Sequence, residues 1–117
     1  YKNREEGKKL SSRKETIFNQ FMHELTTHYK EERSVSFYAD KLCISSKYLS
    51  SLVKEVSDKT PVELITQCVI FESKTLLKST NMSIQQISDL LNFPNQSFFG
   101  KYFKRYCGMS PLQYKQS

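Results

Sequence analysis

Reaction chemistry needs particular residue types held close together, and this chain offers few of them. Cys43, Cys68 and Cys107 are widely spaced, form no CxxC pair and have no histidine nearby. That pattern reads as buried, reduced thiols. His23 and His28 stand five residues apart on one predicted helix, which is poor spacing for a shared metal. They read as one surface residue and one packing residue. The paired acids Glu5/Glu6 and Glu31/Glu32 sit in charged stretches and read as surface. There is no glycine-rich phosphate loop and no nucleophile with a base at a recognisable spacing. No catalytic residue, metal ligand or cofactor is expected, and the chain does not read as an enzyme.

Recognition chemistry is better represented. Residues 95–111 read NQSFFGKYFKRYCGMSP, with five aromatics between Phe98 and Tyr106. On a helix Phe98, Phe99, Tyr102, Phe103 and Tyr106 share one face, while Gln96, Ser97, Gly100, Lys101, Lys104 and Arg105 lie opposite. The rings are expected in the core rather than as a stacking platform. The other face presents amide, hydroxyl and cationic groups, which hydrogen-bond base edges and phosphates. Gly100 inside a helix costs about 1 kcal/mol relative to alanine. It would either let a backbone approach closely or sit beneath a crowded neighbour.

The charge balance agrees. Lys and Arg number 18 against 12 Asp and Glu, a formal net charge of +6. Such a balance favours polyanions, nucleic acid before an anionic membrane, with a solvated lysine-rich surface as the plain alternative. No apolar run approaches the roughly 18 residues that would span a bilayer.

These residues must be positioned by helices. Only three prolines and three glycines punctuate the 117 residues, and 3.6-residue periodicity dominates, so an all-α fold is expected. Four capping boxes mark helix starts: Ser12/Glu15, Thr60/Glu63, Ser83/Gln86 and Ser110/Gln113. Pro61 and Pro111 follow two of them at the first helical position, where a missing N–H costs nothing. One helix should run from Ser12 to about Tyr29 with a stripe of Ile17, Phe18, Phe21, Met22, Leu25 and Tyr29. Another should run from Thr60 to about Ser79, carrying Leu64, Ile65, Cys68, Val69, Phe71, Leu76 and Leu77, with Asn81 a plausible stop. Residues 1–12 are charged and faceless, and read as a linker from an upstream domain.

The chain also repeats itself. Ser34 meets Ser83 at an offset of 49, and Val35 meets Ile84, Asp40 meets Asp89, Leu42 meets Leu91. One extra residue shifts the offset to 50, after which Tyr48 meets Phe98, Leu52 meets Tyr102, Lys54 meets Lys104 and Pro61 meets Pro111. Each copy reads as a short helix, a tight turn and a second helix: Val35–Leu42, CISS, Ser46–Val56, and Ile84–Leu91, NFPN, Gln96–Tyr106. Asn92 stands where the turn needs a left-handed residue, which Asn tolerates well, and Cys43 stands less comfortably at the matching place. In the first copy Tyr48, Leu49, Leu52, Val53 and Val56 should point inward, with Lys47, Ser50, Ser51 and Lys54 outward. The expected organisation is residues 13–60 as one subdomain, 61–79 as a connecting helix and 80–117 as a second subdomain. A connecting helix of about 18 residues is roughly 27 Å long. Successive major-groove entries on one face of DNA are about 34 Å apart.

The stretch SIQQISDLLNFPNQSFFGKYFKRYCGMSPLQYK, together with FYADKLCISSKYLSSLVKEVSDKTP, resembles the DNA-binding domain of AraC/XylS-type transcriptional regulators. The likeness covers about residues 13–116. It implies two helix-turn-helix units joined by a long helix, about seven helices in all, and sequence-specific binding of double-stranded promoter DNA in a bacterial cytoplasm. It also implies activation through RNA polymerase and an upstream sensor or dimerisation domain that would support a homodimer. By position, Lys47, Ser50, Ser51, Gln96, Ser97, Gly100 and Lys101 fall at base-reading places. Ser46, Lys54, Asn95, Lys104 and Arg105 fall where phosphates are met. The chain departs from the family where Asn92 and Asp58 replace Gly, Ser73 and Ser88 replace Ala, and Lys115 replaces Arg. The competing reading is a protein-interaction module that keeps the fold without reading DNA. The two outward faces carry Lys47, Lys54, Lys101, Lys104 and Arg105 against the single acid Glu55, which favours DNA.

Overall fold

The computed structural model describes residues 2–117, with side chains from Arg13 onward. Among the described residues there are seven helices and no strands: α1 Lys2–His28, α2 Val35–Lys41, α3 Ser46–Ser57, α4 Pro61–Ser79, α5 Ile84–Leu90, α6 Gln96–Cys107 and α7 Pro111–Gln116. The chain divides into two compact units between Ile65 and Thr66, inside α4. α1 begins at Lys2 and runs through Ser12, so the helix start expected at Ser12 fails, and it ends one residue from the expected Tyr29. The linker reading of residues 1–12 falls outside the described side chains.

Helix starts follow their caps. Thr60 and Glu63 exchange hydrogen bonds, with the Thr60 N–H donating to Glu63 Oε1 at 3.1 Å and the Glu63 N–H to Thr60 Oγ1 at 3.2 Å. Ser83 with Gln86 and Ser110 with Gln113 close the same reciprocal pair. Between them these boxes satisfy donors that the first turns of α4, α5 and α7 leave without intrahelical partners.

The first unit packs α1, α2, α3 and the start of α4 around Phe21, Leu25, Tyr38, Ala39, Leu49, Leu52 and Val53, all at most 2% exposed. Phe21 meets Tyr38 edge-on at 5.6 Å, and the Tyr38 hydroxyl donates to the Glu32 carbonyl at 2.6 Å. The ring thus fills the core while its polar end is satisfied. The second unit packs α5, α6 and α7 with the remainder of α4 around Val69, Leu77, Ile87, Leu91, Phe93, Phe99 and Phe103. Phe93 touches both Phe99, at 5.1 Å, and Tyr102, at 5.1 Å.

The internal repeat holds at the level of individual hydrogen bonds. In the first turn the Ile44 N–H donates to the Ala39 carbonyl and the Cys43 N–H to Asp40; in the second the Phe93 N–H donates to Ser88 and the Asn92 N–H to Asp89. Cys43 and Asn92 both have φ 58, the left-handed residue that each turn requires. After α3 and α6 the chain turns left-handed again, at Asp58 with φ 61 and at Gly108 with φ 80. Only the last of these four places holds glycine, the residue with no Cβ penalty there.

Several apolar side chains and the thiols escape burial, for geometric reasons. Phe71 is 72% exposed. At 100° per residue it stands about 170° from the centre of the arc formed by Ile65, Val69, Ser73, Leu76 and Leu77. Ile70 is buried on that arc instead. Cys43 is exposed on its tight turn, while Cys68 and Cys107 are half-buried, so the three thiols are not core residues. Burial pushes the Cys68 and Cys107 thiols above their usual range, which keeps them protonated. Phe98 and Tyr106 are about half exposed, as is Tyr48 at the place equivalent to Phe98. They lie in the first and last turns of their helices. A seven-residue α5 is about 10 Å long and cannot cover a twelve-residue α6 of about 18 Å from end to end.

Candidate nucleic-acid interface

α3 and α6 are built alike. Ser45 precedes α3 and its hydroxyl accepts from the Tyr48 N–H at 3.0 Å. Asn95 precedes α6 and its side-chain oxygen accepts from the Phe98 N–H at 2.8 Å. Each cap fixes where the helix begins, and so which residues of its first two turns face outward.

On α3 the buried residues Leu49, Leu52 and Val53 hold one face. Ser46, Lys47, Ser51 and Lys54 are exposed on the remainder, and Ser50 is half-buried at its edge. On α6 the buried pair is Phe99 and Phe103. Gln96, Ser97, Lys101, Lys104 and Arg105 are exposed, and Gly100 is half-buried, like Ser50 at the equivalent place. Every residue expected to meet DNA is therefore accessible in part or in full, and each set shares one side of its helix. Three have local partners: Arg105 lies over the Tyr106 ring at 5.5 Å. Asn95 caps α6, and the Lys54 ammonium donates to the Asp58 carbonyl at 3.2 Å, near the Asp58 carboxylate at 3.9 Å.

The one acid on these faces is neutralised within its own unit. The Lys14 ammonium on α1 donates to both Glu55 carboxylate oxygens at 2.9 Å. The hydrogen bond and the charge of Glu55 together raise the Lys14 pKa, which keeps the ammonium charged at neutral pH. A carboxylate that would repel a polyanion is thereby masked. Sequence spacing gives no sign of this pair, because its members are 41 residues apart.

Gly100 is resolved by geometry. A Cβ built on it would meet nothing within 4 Å. No protein neighbour demands a small residue there, so crowding within the fold is not the reason for the glycine. Beside it runs a shallow open groove of about 480 Å³ lined by Ile84, Gln96, Ser97, Gly100, Ser110, Pro111 and Leu112. Leu112 is half exposed at its rim, and so is Val62 at the equivalent place in the first unit. Leu112, an apolar residue beside the outward face of α6, escapes a search for polar and charged groups. The repeat offset is the signal that links it to Val62.

Among the described residues no helix is long and apolar enough to cross a membrane, and no group of three or more His, Cys, Asp or Glu side chains could hold a metal ion.

Comparison with known proteins points one way. A family model described as a helix-turn-helix domain matches residues 38–117. YisR of Bacillus subtilis, described as an uncharacterized HTH-type transcriptional regulator, is 28% identical over 95% of this chain and 39% of its own length. RafR of Pediococcus pentosaceus, the raffinose operon transcriptional regulatory protein, is 30% identical over 86% of this chain and 36% of its own. The chain thus spans well under half the length of these relatives. Among solved structures, the C-terminal domain of AraT, a response regulator from Geobacillus stearothermophilus, superposes with a TM-score of 0.80 at 26% identity, covering 86% of this chain and 84% of that one.

Proposed function

The chain belongs to the AraC/XylS family, as the helix-turn-helix DNA-binding domain of a transcriptional regulator, and on that premise we propose that it reads a specific double-stranded promoter sequence with α3 and α6 in successive major-groove segments. The observation that carries this reading is the repeated exposure of one polar, cationic side on two helices with matching caps. Their only acid is neutralised by Lys14.

Lys47, Ser50 and Ser51 meet base edges from α3, and Gln96, Ser97, Gly100 and Lys101 from α6. The glutamine amide suits adenine and the lysines suit guanine, while serines accept either partner. Ser46, Lys54, Asn95, Lys104 and Arg105 fix the register on phosphates. Asn95 can cap α6 and still present its amide N–H₂, because the cap uses only its oxygen. In the full-length regulator the domain activates by contact with RNA polymerase in the bacterial cytoplasm, and a further domain supplies the homodimer.

Selection of bound sequences from a random double-stranded pool at near-physiological salt tests the reading. The expected result is two enriched blocks about one helical turn apart. Salt-sensitive binding without enrichment defeats the proposal and favours the interaction-module reading.

A further inference from the structure

We infer that the groove beside Gly100 is a thymine-methyl site, an apolar specificity element set next to the polar readers of α6. The inference rests on the proposed DNA reading and adds to it a ligand group and a base identity.

Three observations carry it. First, the groove is lined by Gln96, Ser97 and Gly100, so it is continuous with the proposed base-reading face. Second, its other wall is mainly apolar, formed by Ile84, Pro111 and the half-exposed Leu112, with Ser110 its one polar residue. The C5-methyl of thymine is the one apolar group that base pairs present in the major groove. Third, Gly100 leaves the floor open, since a Cβ there would touch nothing of the protein. A helix keeps a glycine in its interior at a cost in stability. The open floor gives that glycine a use, because it admits a base edge between Gln96 and Leu112. At the equivalent place in the first unit stands Ser50, which has a Cβ and a hydroxyl where α6 has Gly100.

The test uses the selected DNA site. Each thymine under the α6 block is replaced in turn by deoxyuridine, which removes the methyl and nothing else. One replacement should weaken binding about four-fold, the value of one buried methyl. Leu112→Ala removes a wall at an exposed position, so the variant should fold. It should retain binding to the site while its thymine-to-deoxyuridine ratio falls below about two-fold. If the selected site holds no thymine there, or every replacement leaves affinity unchanged, the inference fails while the DNA-reading proposal stands. If Leu112→Ala keeps the wild-type ratio, the methyl is read elsewhere and the inference also fails. Absence of any selected sequence overturns both readings together.

Discussion

Ser88 sets up a sharp test of the second unit's core. Its side chain is fully buried, and its hydroxyl oxygen has no hydrogen-bond partner. The repeat places Ala39 at the matching site, 1% exposed, one hydrogen bond away from the same turn. Ser88→Ala should therefore stabilise the protein. Leaving a buried hydroxyl unsatisfied costs about 1–3 kcal/mol. The void left by one oxygen, taken as roughly 15 Å³, returns about 0.4 kcal/mol of that. The net expectation is a gain of about 1–2 kcal/mol, or several degrees in Tm. Urea unfolding with an unchanged m-value would measure it, and amide exchange would place the added protection in α5 and α6. Ala39→Ser should show the opposite sign at similar size. Ser73→Ala serves as control. Ser73 is equally buried, but its hydroxyl donates to the Val69 carbonyl at 2.7 Å, so its removal should bring no comparable gain. A neutral or destabilised Ser88→Ala, with Ala39→Ser tolerated, would show that the hydroxyl finds a partner and would refute the reasoning.

Other outcomes follow from the same geometry. Phe103→Ala should cost about 3–5 kcal/mol, read by denaturant melting, because the ring is fully buried between Phe99 and Tyr114. Lys104→Ala should lower the salt slope of DNA binding by about one and weaken all sequences alike. Lys101→Ala should instead flatten the preference recovered by selection. Lys14→Ala should weaken DNA binding with little change in melting, because it unmasks Glu55, and adding Glu55→Gln should restore affinity. Hydrogen bonds from the Thr60 backbone and side chain hold the Glu63 carboxyl below the usual carboxylate range. A depressed folded pKa gives stability that is present above the unfolded value and lost as pH falls through the folded one. Glu63→Gln keeps the cap and should lose that part of the acid sensitivity, as unfolding between about pH 6 and 3 would show.

Much of this architecture can be read in the chain because its punctuation is local. Pro61, Ser79, Ser46 and Gln96 bound helices where caps and prolines act within one turn. The left-handed Asn92 and Cys43 follow from turn geometry alone. The faces of α3 and α6 are also legible, since periodicity separates Leu49, Leu52, Phe99 and Phe103 from the polar set. What escapes depends on the length and direction of neighbours. Phe71 belongs to an apolar run but points away from the buried arc of α4. Phe98 and Tyr106 share the ring face of α6 but project past its shorter partner. The Lys14–Glu55 pair needs tertiary approach, which no local pattern records. The emptiness around Gly100 is likewise a property of space rather than of sequence.

The two copies share the caps of α3 and α6, turn hydrogen bonds and left-handed positions, yet differ in almost every outward side chain. Scaffold and message are thus written on separate positions. Outward positions in the two units correspond at an offset of fifty, as Ser50 does to Gly100 and Ser51 to Lys101. The chain is therefore a transferable grammar. Moving the outward residues of α6 onto α3 at that offset exchanges what is said while leaving the frame that says it intact.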